Sequence, residues 1–423
     1  MSRTEAVATE QPVRQGITAQ VLAIGLLSFL IMIIDGYDIG AMPIVVPHLA
    51  PMWGVAPASF GPALSAVVIG LGVGAFLFAP LGDRFGRRTT TVVSLAIISL
   101  ATIATAWSSS VAQLFWWRLV TGAGLGACLP NVLAILARII PAERRASAMT
   151  IVSCGIPIGA AGAGAIVPAL TRAQGWQAAF YVPGLAMLAV TIVVALYLRQ
   201  LPMPQAPSEP RARSWRWTDI PIFAPLGPGL VKRTAIFCAL FCFNALSMYM
   251  LASWLPTVLG KVGFAFEQAS LMASIVQIGG LFGGLILATQ IDRHRTIGAL
   301  LAGYALVALG LVALTLVGPG FASWGAIFLL IGMGVGGAHI ALPAVAANIY
   351  PATMLSAGIG LAVTVARLGA MAGPMAGAAL IGANVSVNGF FLALLVPVAL
   401  CALSVLAFAK ARLANGPAQD ASS

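Results

Sequence analysis

The sequence predicts an all-α integral membrane protein, whose twelve transmembrane helices form two pseudo-symmetric six-helix halves. Three observations support this fold class: the composition, the spacing of the apolar segments and an internal repeat. Of the 423 residues, 60% are hydrophobic and only 8% are charged, whereas soluble domains are about 25% charged. We therefore expect the chain to lie in a lipid bilayer.

Twelve apolar segments are long enough to cross a hydrocarbon core about 30 Å thick. They cover approximately residues 18–42, 58–80, 89–108, 111–138, 146–170, 177–199, 233–257, 268–290, 297–317, 323–348, 355–381 and 388–410. A polar segment rich in proline and arginine divides six spans from six. The predicted organisation is a tail (1–17), a first bundle (18–199), a linker (200–232), a second bundle (233–410) and a tail (411–423).

The two halves also repeat in sequence. Asp83-Arg84, after the second span, recurs 209 residues later as Asp292-Arg293, after the eighth span. Pro141-Ala142 recurs 210 residues later as Pro351-Ala352. Two parallel six-helix halves with a site near the midplane are the architecture of a secondary transporter.

The basic residues predict the orientation. Eighteen of the 22 lysines and arginines lie in the tails and in the loops on the same side as the tails. The opposite loops hold only Arg172 and Lys261, and the remaining two, Arg118 and Arg367, lie within spans. Because basic loops stay in the cytoplasm, we expect a multi-pass protein of the bacterial inner membrane with both termini cytoplasmic.

Two carboxylates, Asp35 and Asp38, interrupt the apolar first span. A charge at the centre of a bilayer costs roughly 2.5–3.5 kcal/mol on insertion scales. Residues three apart share a helix face, where two negative charges repel. Such carboxylates must face a wet cavity, meet a cation or carry a proton part of the time, and each of these is a feature of transport.

A family resemblance appears at Gly82-Asp83-Arg84-Phe85-Gly86-Arg87-Arg88. This segment resembles the signature between helices 2 and 3 of the major facilitator superfamily, with Ala79 where that signature opens with glycine. Asp35-Gly36-Tyr37-Asp38 and Arg367-Leu368-Gly369 are similar to the aromatic acid:proton symporters of that superfamily. The chain departs from that family after Tyr350-Pro351, where the usual arginines are missing.

The charged residues suggest a coupling mechanism. Arg118 lies about seven residues into the fourth span, roughly 10 Å deep, and we place Asp35 and Asp38 at similar depth in the outer half of the first span. The resemblance favours a mechanism in which one aspartate binds the coupling proton and Arg118 alternates between it and a substrate carboxylate. The alternative is a permanent salt bridge. Arg367 either binds the anionic substrate or bonds to helix carbonyls.

Several uncharged residues and one histidine are further candidates. His339 either takes part in proton transfer and substrate binding or is a neutral, hydrogen-bonded residue. Polar candidates for substrate binding are Asn131, Asn244, Tyr249 and Gln277. Asn131 is expected to point away from Arg118 on an ideal helix. Aromatic candidates are Tyr37, Phe241, Tyr249 and Trp254, although each such residue is more often a core or lipid-facing residue than a substrate contact.

The resemblance also implies a gate at the cytoplasmic surface. Asp83 would lie at the N-terminus of the eleventh helix, pair with nearby arginines in the outward-facing state and separate as the halves rock. The gating candidates are Asp83, Arg84, Arg87, Arg88, Asp292 and Arg293.

The sequence thus predicts a proton-coupled symporter that imports a small aromatic carboxylate, such as a benzoate or hydroxybenzoate, by alternating access. Rival functions are import of a non-aromatic acid and drug efflux by proton antiport. An enzyme is not expected, since the spans lack a Ser/His/Asp cluster or metal-ligand spacing. We expect no cofactor besides the coupling proton, no metal and no nucleic acid; the partners are the organic anion and the bilayer, and the protein is expected to act as a monomer.

Overall fold

The computed structural model describes residues 19–140, 142–199, 225–227, 230–351 and 354–413. Twelve helical segments in this part of the chain are long and apolar enough to cross a membrane. The helices are α1 (Ala19–Met52), α2 (Gly61–Val73), α3 (Leu81–Phe85), α4 (Arg87–Thr105), α5 (Val111–Ile139), α6 (Ala142–Ser153), α7 (Gly155–Gln174), α8 (Ala178–Arg199), α9 (Val231–Lys261), α10 (Phe266–Asp292), α11 (Thr296–Leu316), α12 (Phe321–Val345), α13 (Leu355–Gly382), α14 (Val387–Ala393) and α15 (Leu395–Leu413). The predicted fold class is confirmed. Most of the predicted linker, the whole predicted N-terminal tail and most of the predicted C-terminal tail lie outside the described residues.

The first helix is longer than predicted. Helix α1 contains 34 residues and continues through Pro43, Pro47 and Pro51 to Met52. Each proline removes one backbone donor, but neighbouring helices make this tolerable in a membrane protein. Asp35 is consequently the seventeenth of the 34 residues and lies at the middle of α1. The prediction that it lies in the outer half of the span was wrong.

Several spans are not uniform α-helices. The second span begins with a 3-10 turn, Pro57–Phe60, and passes after α2 into a π-helical turn, Gly74–Phe78. The fifth span consists of α6 and α7, and the twelfth of α14 and α15. π-helical turns frequently occur at functional sites in helices. Here the π turn follows the part of the second span that faces the other half of the protein.

The helix ends define two faces. Exposed Arg84, Arg199, Arg293 and Arg295 lie at one of them, which we call the basic face; the other is the opposite face. The two halves are held together nearer to the opposite face. There the Ser65 hydroxyl donates to the carbonyl of Met371 (2.9 Å), joining α2 to α13.

A second pair of helices closes the same end. The Ser274 hydroxyl of α10 donates to the carbonyl of Ala161 in α7 (2.5 Å). At the surface, Arg172 and Glu267 form an ion pair (3.4 Å), and the rings of His48 and Phe266 lie 6.2 Å apart. These contacts between the halves all lie in the part of the bundle farther from the basic face.

Candidate functional site

The centre of the first half contains a buried ion pair. Nη1 of Arg118 lies 2.7 and 2.6 Å from the two carboxylate oxygens of Asp38, and its Nη2 donates to the Asp38 carbonyl (3.0 Å). Arg118 is 1% exposed and Asp38 is 3% exposed. The two charges therefore neutralise each other away from water, while Nε of Arg118 has no partner among the described residues.

Asp35 lies in a different environment, although it is one helical turn away. Its side chain is buried (2% exposed), and neither carboxylate oxygen has a hydrogen-bond partner among the described residues. An ionised carboxylate without a partner is strongly disfavoured in such a place. Asp35 is therefore expected to be neutral, with a proton bound, in this conformation.

Close packing of α1 on α7 holds the two aspartates in place. A β-carbon at Gly36, between the two aspartates, would collide with the backbone carbonyl of Ile156. A β-carbon at Gly159 would collide in the same way with Ile33. Small residues allow helix backbones to approach closely in membranes. The glycine in Asp35-Gly36-Tyr37-Asp38 thus fixes the depth and orientation of both carboxylates.

The second half contains a chain of polar side chains in its interior. The Tyr304 hydroxyl donates to Oδ1 of Asn244 (3.1 Å), and Nδ2 of Asn244 lies 3.3 Å from Nδ1 of His339. With the amide donating, Nδ1 accepts, and a neutral His339 carries its proton on Nε2. The ring of Phe241 packs edge-on against this imidazole, with centroids 5.3 Å apart.

Arg367 of α13 lies where the two halves meet. Its Cδ is 4.0 Å from the position that a β-carbon would occupy at Gly72 of α2. Its guanidinium lies close enough to the Tyr249 hydroxyl for an electrostatic interaction, but it forms no hydrogen bond or ion pair with the described residues. Tyr249 and His339 are each half-buried, and their rings lie 6.4 Å apart. A cation, a phenol and an imidazole thus lie close together in the second half.

Gln277 lies on α10, in the second half. It is half-buried and follows Ser270 and Ser274 at intervals that place all three on one face of α10. Ser274 bonds to α7 across the interface, so this face points towards the other half.

Three predicted substrate contacts have structural roles instead. Both donors of Asn131 are used by the carbonyls of Ala127 (2.8 Å) and Ala79 (3.2 Å). The Tyr37 hydroxyl donates to the carbonyl of Ala179 (3.2 Å). Trp254 is fully buried, and its indole N–H donates to the carbonyl of Pro374 (2.8 Å). Since these donors are used to join helices, none of them is free to bind substrate in this conformation, and a substrate role for Tyr37, Asn131 or Trp254 stays a prediction.

The predicted gating residues lie at the basic face. Arg84 is exposed and stacks over the Phe85 ring at 5.4 Å, and Asp292 and Arg293 are exposed at the end of α10. Arg87 and Arg88 are half-buried in the first turn of α4. The side chain of Asp83 lies outside the described part of the chain, so its pairing remains a prediction.

Sequence reasoning missed some of the residues that organise the site. Tyr304 was not singled out, although a tyrosine in the middle of an apolar span needs a hydrogen-bond partner when buried. Ser65 and Ser274 join the two halves, but serines are common in membrane helices, and no spacing distinguishes these two.

Buried charges and polar chains inside a twelve-helix bundle are typical of a membrane transport protein. Comparison with known proteins agrees. The model of the Major Facilitator Superfamily matches residues 27–374 and 237–422. The chain belongs to the Major Facilitator Superfamily.

Several characterised relatives align over most of their length. The 4-hydroxybenzoate transporter PcaK of Pseudomonas aeruginosa is 32% identical, over 90% of this chain and 91% of the relative. The 3-(3-hydroxy-phenyl)propionate transporter of Escherichia coli is 30% identical, over 95% and 96%. The gallate transporter of Pseudomonas putida is 29% identical, over 93% of each. The resemblance identified from the sequence is confirmed.

Solved structures share the fold. A bacterial homologue of the human lysosomal transporter Spinster, described as inward-facing and unoccupied, superposes with a TM-score of 0.76 at 16% identity, covering 94% of this chain and 99% of that one. At this identity the similarity shows the fold alone.

Proposed function

We propose that this protein is a proton-coupled symporter that imports a small aromatic carboxylate, such as a hydroxybenzoate, by alternating access. One observation carries the proposal: buried Asp35 lies beside a neutralised Asp38–Arg118 pair, Arg367 lies at the interface of the halves, and neither Asp35 nor Arg367 has a hydrogen-bond or ion-pair partner among the described residues. The names of the relatives, which include transporters of 4-hydroxybenzoate and gallate, support the substrate class.

The charges of the site explain how proton and anion are coupled. The charges of Asp38 and Arg118 cancel each other. The net charge of the site therefore depends on Asp35 and Arg367. When the site is empty and Asp35 is ionised, the four charges sum to zero. When Asp35 binds a proton, Arg367 leaves one positive charge, which a monoanionic carboxylate neutralises. The empty and the fully loaded carrier are therefore both neutral inside the membrane.

The half-loaded carriers are not neutral. A proton without substrate leaves a net positive charge in the interior, and substrate without a proton leaves a net negative one. Enclosing a net charge away from water costs several kcal/mol. Closure of the cavity around a half-loaded site is thus disfavoured, which ties one proton to one anion.

The second half provides the features that an aromatic carboxylate needs. The fork of Arg367 can hold a carboxylate by two parallel hydrogen bonds, with the Tyr249 hydroxyl beside it. Tyr249 and Phe241 offer aromatic edges to a flat ring. Nε2–H of His339, set by Asn244, can donate to a ring hydroxyl. Nε of Arg118, which is unpaired, is available to a carboxylate that moves towards the first half.

The conformation fits an inward-open carrier. On the positive-inside rule the basic face is cytoplasmic, and the bonds of Ser65 and Ser274 then close the outer side. Rocking of one half on the other would break these bonds and bring the cytoplasmic ends of the helices together, which would open the site outwards. The predicted gating residues Asp83, Arg84, Arg87 and Arg88 would form the cytoplasmic closure. The same rule places both termini in the cytoplasm, and the inner membrane is the compartment in which a proton gradient can drive import.

The test is uptake into proteoliposomes clamped at zero membrane potential, with and without an inward proton gradient. We expect 4-hydroxybenzoate and benzoate to enter faster than into protein-free liposomes, which measure passive entry of the neutral acids, and to accumulate about tenfold for each unit of pH difference, since one unit corresponds to 1.36 kcal/mol. Cyclohexanecarboxylate, of similar size and charge but without an aromatic ring, serves as the matched control and should enter no faster than into protein-free liposomes. Equal protein-dependent entry rates of the aromatic and the cyclohexane acid would contradict the aromatic specificity. Accumulation that ignores the gradient would contradict the coupling.

A further inference from the structure

A large groove lies on the back of α10, away from the site described above. It has a volume of about 770 Å³ and runs between α10 and α11, with α12 as its floor. Gly283, which lines it, is nine residues from Ser274, so it lies half a turn away from the face that contacts the other half. Ile286, at the rim, is 49% exposed. The groove therefore opens towards the lipid and not towards the substrate path.

Small residues create the groove. A β-carbon at Gly298 would meet nothing within 4 Å, and one at Gly303 would only touch Gly334, at 3.8 Å. In the first half, the residues 209 positions earlier are Thr89 and Ser94. Both of these residues carry a side chain, so the two glycines that leave this space are a feature of the second half.

The two ends of the groove differ in chemistry. Most of its length is lined by aliphatic side chains, among them Ile286, Leu287, Leu306 and Met333. Arg295 stands at the end on the basic face and is exposed. Arg295 is also the N-cap of α11, a helix of 21 residues, whose N-terminus favours a negative charge. Among the described residues, no carboxylate forms an ion pair with the Arg295 guanidinium.

We propose that this groove binds one anionic phospholipid of the leaflet at the basic face. One acyl chain lies along the aliphatic wall, and the phosphate contacts Arg295 and the N-terminus of α11. Charge complementarity favours an anionic lipid, because basic groups near the membrane surface attract anionic headgroups with about 1 kcal/mol each. The bound lipid supports the back of α10, whose front carries Ser274 and Gln277.

Native mass spectrometry of the full-length protein, titrated with dioleoylphosphatidylglycerol or dioleoylphosphatidylcholine, tests the proposal. We expect one phosphatidylglycerol to bind at least fivefold more tightly than phosphatidylcholine. Arg295→Gln should weaken phosphatidylglycerol binding roughly fivefold, the factor that corresponds to one basic contact. Arg199→Gln, which removes another exposed arginine of the basic face, is the matched control and should bind as the wild type does.

Filling the groove tests the position of the acyl chain. Gly303→Leu should abolish tight binding of both lipids, whereas Gly25→Leu, at another helix position with open space for a side chain, should not.

Equal effects of Arg295→Gln and Arg199→Gln would overturn the proposal, as would unchanged binding in Gly303→Leu. Displacement of the lipid by soluble glycerol 3-phosphate would also overturn it, because the acyl chain would then contribute nothing. A dimer that disappears in Gly303→Leu would instead identify the groove as an interface between copies. Arg295→Gln changes only an exposed side chain and should fold normally. It therefore tests the proposal even if Gly303→Leu fails to fold.

Discussion

Replacing each aspartate of α1 by asparagine should have very different effects on stability. D38N leaves Arg118, which is 1% exposed, without the carboxylate that accepts two of its hydrogen bonds. Removing one partner of a buried ion pair costs about 3–5 kcal/mol. D35N replaces a protonated, partnerless carboxyl by an amide of similar size, so we expect a change of about 1 kcal/mol or less.

The free energy of unfolding, measured in detergent micelles for both variants under one set of conditions, gives the comparison. A second readout, substrate counterflow at equal pH on both sides, should persist in D35N, because exchange of the loaded carrier never requires Asp35 to lose its proton. Accumulation driven by a pH gradient should be lost in the same variant. Equal destabilisation by the two substitutions would refute the assignment of the ion pair to Asp38. Gradient-driven accumulation by D35N would refute the proton role of Asp35.

Three further predictions concern the second half and the packing of α1. Arg367→Lys should raise the KM for 4-hydroxybenzoate about 10- to 100-fold, because a bidentate charged contact becomes a single one. The KM is obtained from the dependence of the exchange rate on substrate concentration. An unchanged KM would exclude Arg367 from substrate binding. Trp254→Phe should lower the free energy of unfolding by about 1 kcal/mol and leave KM unchanged; a raised KM would return Trp254 to the binding site. Gly36→Ala should prevent folding, because the new β-carbon would collide with the backbone of α7; the monodisperse peak in size-exclusion chromatography should then be lost. Gly25→Ala is the control and should elute as the wild type does. A normal peak for both variants would contradict the close contact of α1 with α7.

The sequence predicted the number of spans and the charged candidates because membrane helices leave strong signals. Charges in an apolar span are rare enough to be noticed individually, and Asp35, Asp38, Arg118 and Arg367 were found in this way. The end of α1 was mispredicted, because local rules treat Pro43 and Pro47 as helix breakers while the surrounding helices permit them.

Polar uncharged residues were harder to interpret from the sequence. Asn131 and Asn244 look alike in a sequence, since each is an amide within an apolar span. Only the packing shows that Asn131 bonds to backbone carbonyls, while Asn244 bridges Tyr304 and His339. The choice between Asp35 and Asp38 as the partner of Arg118 likewise depended on the rotation of α1 relative to α5, which the close approach at Gly36 sets.

The proposed mechanism requires that one proton accompanies each aromatic anion. Proton and substrate fluxes can be measured together, with a pH-sensitive dye and labelled 4-hydroxybenzoate in the same proteoliposomes. We expect one proton for each anion, no net current on a solid-supported membrane, and no proton flux in D35N while counterflow continues. Substrate entry without proton movement in the wild-type protein, or with a net negative current, would contradict this mechanism.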